Sequence, residues 1–91
     1  MLEIKYHNKF KKDLKTLKKR NKDLEPLKEV ITMLSEEKIL PKNYCEHNLV
    51  GEFKGYKDCH IQSDWVLIYK VDKSISIISL YRTGTHSDLF K

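Results

Sequence analysis

The chain has 91 residues, 40% of them hydrophobic and 34% charged, with a formal net charge of +5. That length suits one compact domain over 1–91 rather than two, and the composition is neither that of a disordered chain nor, with no apolar run near the roughly 18 residues of a bilayer span, that of a membrane helix. The opening Met1-Leu2-Glu3-Ile4-Lys5-Tyr6 carries neither an apolar signal region nor a small-residue cleavage site, so a cytoplasmic address without a membrane partner is expected.

Leu2, Ile4 and Tyr6 alternate with polar residues, which predicts a short strand with one buried face. Asn8 is the expected N-cap of a helix over 9–20, where Phe10, Leu14 and Leu17 recur at helical spacing and Asn21 continues the stripe. A second helix restarts near Asp23, with Pro26 in its first turn. Leu24, Leu27, Val30, Ile31 and Leu34 form its apolar stripe, and it ends near Lys38, ahead of Pro41. The short connection predicts an antiparallel helical hairpin.

From Asn43 the pattern changes. A loop through His47 precedes a strand over about 52–61 with an irregularity at Gly55, then a turn at Gln62-Ser63-Asp64. Trp65 to Val71 is almost continuously apolar, as in a central strand covered on both faces. A tight turn at Asp72-Lys73 leads to a last strand over about 74–82, and the tail forms one helical turn capped by Thr85 or Ser87. The expected fold is α+β: an N-terminal strand, a helical hairpin and a three-stranded antiparallel meander, with the helices on one face of the sheet.

Charge is unevenly placed. Residues 1–42 hold 12 Lys/Arg against 7 Asp/Glu, and residues 43–91 hold 6 against 6. Lys9, Lys11, Lys12, Lys15, Lys18, Lys19 and Arg20 concentrate the excess on the first helix. Such a field attracts nucleic acid or an acidic protein, although a lysine-rich helix face is also an ordinary solvated surface. Cys45 and Cys59 form no CxxC pair and read as reduced packing residues.

His47, His60 and His86, together with Asp64, Trp65 and Arg82, fall at strand ends or in loops of the meander half. If the last two strands are antiparallel, Arg82 emerges near Trp65 and Asp64, so several polar groups converge on one rim. RNA cleavage uses such a set. A 2′-hydroxyl must lose a proton and a 5′-oxygen must gain one, which imidazole can do near neutrality. The phosphorane between them gathers negative charge that a guanidinium can meet with a planar fork. A rim aromatic can stack a splayed base. Each residue also has a plainer reading: a surface histidine, a core tryptophan, an Arg82–Asp64 ion pair. A zinc set of His47, His60, His86 and Asp64 is chemically acceptable, but no HxxxH, HxH or HExxH spacing pre-aligns two ligands, so no metal is expected.

The stretch His47-Asn48-Leu49-Val50-Gly51-Glu52-Phe53-Lys54-Gly55-Tyr56-Lys57-Asp58-Cys59-His60-Ile61-Gln62-Ser63-Asp64-Trp65-Val66-Leu67-Ile68-Tyr69-Lys70 closely resembles the signature of YafQ-type toxins in the RelE/ParE superfamily. The ending Arg82-Thr83-Gly84-Thr85-His86-Ser87-Asp88-Leu89-Phe90 does so too, and the resemblance covers the whole chain. It implies a RelE-like, microbial-ribonuclease-style domain, the toxin of a type II toxin–antitoxin pair, which enters the ribosomal A site and cuts messenger RNA without a metal or other cofactor. By matching positions, His47, His60, Asp64 and His86 are the acid/base or substrate-orienting residues, with His86 the principal proton donor and Arg82 the phosphate-stabilising cation. Trp65, Phe90 and Lys54 are the substrate contacts, and the lysines of the first helix face small-subunit ribosomal RNA. The implied partners are messenger RNA, the ribosome and a cognate antitoxin, with the free toxin monomeric. The competing readings are a gyrase poison on the same fold, a class that lacks the histidine set, and a plain RNA-binding module.

Overall fold

The computed structural model describes residues 1–62 and 64–90. Strand β1 (Glu3–Tyr6) is followed by helices α1 (Asn8–Lys19) and α2 (Glu25–Ser35), the two-residue strand β2 (His47–Asn48), strands β3 (Lys57–Gln62), β4 (Trp65–Asp72) and β5 (Ile77–Gly84), and the single-turn helix α3 (His86–Leu89). The five strands form one sheet in the order β1-β5-β4-β3-β2. β1 runs parallel to β5, and every other pairing is antiparallel.

The α+β arrangement expected from the sequence is the one observed, with differences at the element ends. His7, not Asn8, caps α1: its Nδ1 accepts from the backbone N–H of Lys9 at 3.2 Å. Asn21 does not extend the apolar stripe. It takes φ +58° just past the helix, a left-handed conformation that asparagine tolerates, while Lys22 N–H closes back onto the Leu17 carbonyl. α2 stops at Ser35, and Glu37 reverses the chain with φ +60°. The strand expected from residue 52 begins at Lys57, because Gly51–Phe53 forms a 3₁₀ turn, with Gly51 at φ +69°. The last strand begins at Ile77, leaving Ile75 exposed in the preceding turn. β2 is not expected from the sequence. Ser63, in the expected 62–64 turn, lies outside the described residues.

The core explains the sheet order. Phe10 and Leu17 of α1 and Leu27, Val30 and Leu34 of α2 pack on Cys59, Leu67, Tyr69, Ile78 and Leu80. Fully burying a side chain such as Phe10 stabilises the fold by roughly 1.5–3 kcal/mol. β4 is central, and its continuous apolar run serves two faces as expected. Trp65, Leu67 and Tyr69 meet the helices; Val66 and Ile68 meet Leu89, with Leu49, Phe53, Tyr56 and Tyr81 packed around them. A bulge opposite Ile68 and Tyr69 leaves Tyr81 without a register partner on β4. That second face, touched by α1 only at its Tyr81 edge, carries the polar cluster.

Candidate active site

β2, β3 and the segment after β5 each deliver one histidine. β2 pairs with β3 so that His47 lies opposite Asp58, and His60 stands two residues further along β3, on the same face by strand alternation. β5 ends at Gly84, and Thr85 caps α3 by a reciprocal capping box with Asp88, which places His86 at the first helical position. The ring centroids of His47 and His60 are 6.2 Å apart, and those of His60 and His86 are 5.2 Å apart. Three imidazoles separated by up to 39 positions in the chain thus form one continuous row. Phe90 flanks it, 5.9 Å from the His86 ring and 38% exposed.

One carboxylate orients the row and a second lies beside it. Asp64 Oδ1 lies 2.7 Å from His86 Nδ1 and accepts the His86 backbone N–H at 3.2 Å. These bonds, the side-chain one foremost, hold the Asp64 carboxyl below its ordinary range. At the other end, His47 Nδ1 is 3.4 Å from Asp58 Oδ1. Asp58 is buried, and that oxygen has no hydrogen bond among the described residues. One ligand atom each from His47, Asp58 and His60 lie within 4.8 Å of one another.

Asp58 is absent from the residues expected at the site, although its place two residues before His60 on a strand is the signal that puts both side chains on one face. The metal set disfavoured on spacing grounds also changes. Its geometric form is His47-Asp58-His60, assembled across two strands, while Asp64 is committed to His86.

Other expected residues are placed differently. Arg82 pairs in register with Ile68, three positions along β4 from Trp65. Its guanidinium meets Asp13 rather than Asp64, through Nε at 2.7 Å and Nη2 at 3.0 Å. Asp13 also accepts the Thr83 backbone N–H, so the acid that interrupts the basic helix anchors β5. Trp65 is not a rim aromatic. It is 2% exposed, and its Nε1–H donates to Thr83 Oγ1 at 2.9 Å, because a strand-leading indole above the helix layer finds its partner inside. Arg20 is not a free cation for RNA: it forms a two-pronged pair with Asp88, at 2.9 and 3.3 Å, which braces α3 against the end of α1. Lys9, Lys11, Lys12, Lys15, Lys18 and Lys19 are exposed, and Lys9 Nζ reaches the Tyr81 hydroxyl at 3.3 Å. Lys54 is exposed beside the 3₁₀ turn. Cys59 is a packing residue, whereas Cys45 is exposed with φ +49°.

A small α+β domain whose open sheet face carries a carboxylate-braced row of imidazoles, next to aromatics and lysines, defines a class of protein equipped for proton transfer on a polyanion. Comparison with known proteins gives the family. The family model described as a bacterial toxin of type II toxin-antitoxin system, YafQ, matches residues 2–91. The chain is 42% identical over 89 residues to the mRNA interferase toxin YafQ of Escherichia coli strain K12, covering 97% of this chain and 95% of that protein. Its structure is similar to YafQ in the E. coli DinJ-YafQ complex, with TM-score 0.89, 40% identity and 100% of both chains covered. It is also similar to a metal-bound toxin from Helicobacter pylori, with TM-score 0.91, 40% identity, and 99% of this chain and 100% of that one covered. The chain belongs to the YafQ family of type II toxin–antitoxin toxins.

Proposed function

We propose that this toxin is an endoribonuclease that cuts messenger RNA in the ribosomal A site by metal-independent acid/base catalysis, acts in the cytoplasm, is monomeric when free and is silenced by a cognate antitoxin. The observation that carries the catalytic reading is the imidazole row with His86 clamped by Asp64. In the reaction the 2′-oxygen loses its proton and attacks phosphorus, the P–O5′ bond breaks, and the departing 5′-oxygen gains a proton. A 2′,3′-cyclic phosphate and a 5′-hydroxyl result. With Nδ1 held on Asp64, the His86 ring has Nε2 left to protonate the 5′-oxygen. His60, 5.2 Å away between ring centres, is suited to take the 2′-proton, with His47 next to it. The N–H groups of Arg82 outside the Asp13 pair supply positive charge for the phosphorane. Phe90 offers a face to a base, Lys54 a cation to the strand, and the α1 lysines a contact to small-subunit ribosomal RNA.

The metal question rests on a specific observation. Two imidazoles and a buried carboxylate oxygen lacking a hydrogen bond suit a borderline cation such as zinc or copper, and the H. pylori relative was solved metal-bound. His47, Asp58 and His60 would hold the ion, which could supply Lewis acidity there. The same ion would occupy imidazoles that the proton-transfer route uses, so metal is read as an inhibitor. A gyrase-poison role is disfavoured by the histidine row and by the mRNA interferase relatives.

The test is cleavage of a message on purified ribosomes. His86→Ala should abolish cutting while leaving the fold intact, and cutting should survive when the toxin is stripped with EDTA and dialysed before it is added to ribosomes in magnesium buffer. Cleavage by folded His86→Ala at the wild-type rate overturns the assignment. Loss of activity in the stripped toxin with recovery on adding zinc overturns the metal-free route.

A further inference from the structure

A concavity of about 530 Å³ opens beyond the histidine row and is not used by the reaction described above. Asn48, Tyr56, Lys57, Lys70 and Lys73 line it, with Asp72 as the one acid. Asp72 is turned into its own β4–β5 turn, accepting from Ser74 N–H at 3.1 Å and Ser74 Oγ at 2.6 Å. Two exposed lysines, Lys70 and Lys73, therefore share a hollow with a single carboxylate whose oxygen is already engaged, while Lys57, paired with Tyr69, takes the helix-covered face by strand alternation. Lys70 Nζ stands 5.7 Å above the centre of the Tyr56 ring, a cation held over an aromatic face.

Its position connects it to the imidazoles in two ways. In the β2–β3 ladder, the His47–Asp58 pair belongs to the site, and the next pair, Asn48–Lys57, lines the hollow. One strand step is about 3.3 Å, so the hollow begins beside the row. Across the sheet face, an aromatic series runs from His86 through Phe90, Phe53 and Tyr81 to Tyr56, with successive ring centres 5.9, 5.9, 6.0 and 5.1 Å apart. Lysine lies at both ends of the tyrosine pair, Lys9 over Tyr81 at 5.5 Å and Lys70 over Tyr56. Aromatic faces interleaved with lysines suit an unpaired strand, whose bases can stack while its phosphates meet cations. A duplex, with its bases paired away, gains only the charge.

We infer that the Lys70-Lys73 hollow, floored by Tyr56, is a second RNA subsite that binds a backbone phosphate of the single-stranded message next to the cleavage position. The inference rests on the RNA-cleaving reading of the histidine row. It adds where the strand continues, and assigns Lys70, Lys73 and Tyr56 to holding it.

The probe is a 2′-O-methyl RNA hexanucleotide, which cannot be cut, titrated into the free toxin and followed by amide and imidazole NMR. The hexanucleotide should shift the amides of Lys70, Lys73 and Tyr56 together with the rings of His47, His60 and His86. Lys70→Glu/Lys73→Glu, with its spectrum otherwise retained, should bind it at least tenfold more weakly. Its salt dependence should be shallower by about 0.7 in log–log slope for each phosphate that the variant no longer neutralises. Unchanged hexanucleotide affinity in the double variant, or moving imidazoles with stationary Lys70 and Lys73, overturns the subsite and leaves the cleavage reading standing. Tighter binding of a duplex at the same lysines overturns the single-strand assignment. If neither set of resonances moves, the RNA reading of the histidine row fails and the subsite with it.

Discussion

Asp64 receives both the ring nitrogen and the backbone N–H of His86 on a single oxygen, at 2.7 and 3.2 Å. The carboxylate therefore fixes where the His86 ring sits as well as which nitrogen faces outward. Its pKa is lowered, first by the bond from the His86 side chain, so it is ionised throughout the neutral range. The acid limb of the cleavage rate above about pH 5 must then come from groups other than Asp64, whose unperturbed pKa is already about 3.9.

Asp64→Asn tests this relationship. The amide keeps the shape but cannot hold an imidazolium by charge, so single-turnover cleavage should fall about tenfold or more at every pH from about 5 to 8, with little change in melting temperature. A rate equal to wild type would reject Asp64 as the orienting group.

The helical turn that carries His86 is held from outside by Asp88. That carboxylate takes Arg20 in two prongs and the Thr85 backbone N–H at 3.0 Å, and its pKa is held well below the usual carboxylate range, chiefly by the Arg20 bond. Gly84 makes room for it, since a Cβ there would come within 3.0 Å of Asp88 Oδ2. A depressed carboxyl adds stability that is complete above its unfolded value, near about pH 4, and fades as pH falls further. Asp88→Ala should cost on the order of 1 kcal/mol and loosen α3. Asp88→Asn should show a flatter loss of stability below about pH 4 than wild type, measured by urea unfolding across pH. Parallel curves would remove Asp88 from the acid response. Gly84→Ala should lower cleavage by displacing Asp88 and, through it, His86.

Much of this fold was legible because apolar spacing reports burial directly. The α1 stripe of Phe10, Leu14 and Leu17 and the two-sided run from Trp65 to Val71 each named their element. Motif resemblance, more than periodicity, gathered His47, His60 and His86, because no local pattern relates residues on three separate strands or loops. What escaped the sequence is what depends on tertiary pairing. Asp13 reads as a stray acid in a basic helix, yet it holds Arg82 and Thr83 N–H. Glu46 reads as loop, yet it accepts from the buried Tyr69 hydroxyl just ahead of His47. β2, two residues long, has too few positions for any period to register.

The two thiols should differ sharply. Cys59 is fully buried, and loss of hydration there, reinforced by Glu46 and Asp58, pushes its thiol up to about 12. Cys45 is exposed. At about pH 8 iodoacetamide should label Cys45 alone in the folded protein, and both in urea, as read by peptide mass. Equal labelling without denaturant would contradict the buried environment of Cys59.

Trp65 was expected to face RNA, and its surroundings argue that it supports the site from behind. Its Nε1–H reaches Thr83 Oγ1, and Thr83 in turn donates to the Val66 carbonyl at 3.0 Å, which ties β4 to β5 three residues before His86. Lys22 Nζ covers the outer side of the indole, 5.0 Å from the ring centre. Trp65→Phe removes the donor and some volume but keeps an apolar ring, so about 1–3 kcal/mol of stability should be lost. Trp65→Ala should lose roughly 3–5 kcal/mol. Cleavage by Trp65→Phe, assayed at a temperature where it is fully folded, should stay within a few-fold of wild type. Direct stacking on a base would instead make the rate fall with stability unchanged, and that result would return Trp65 to the RNA-facing surface.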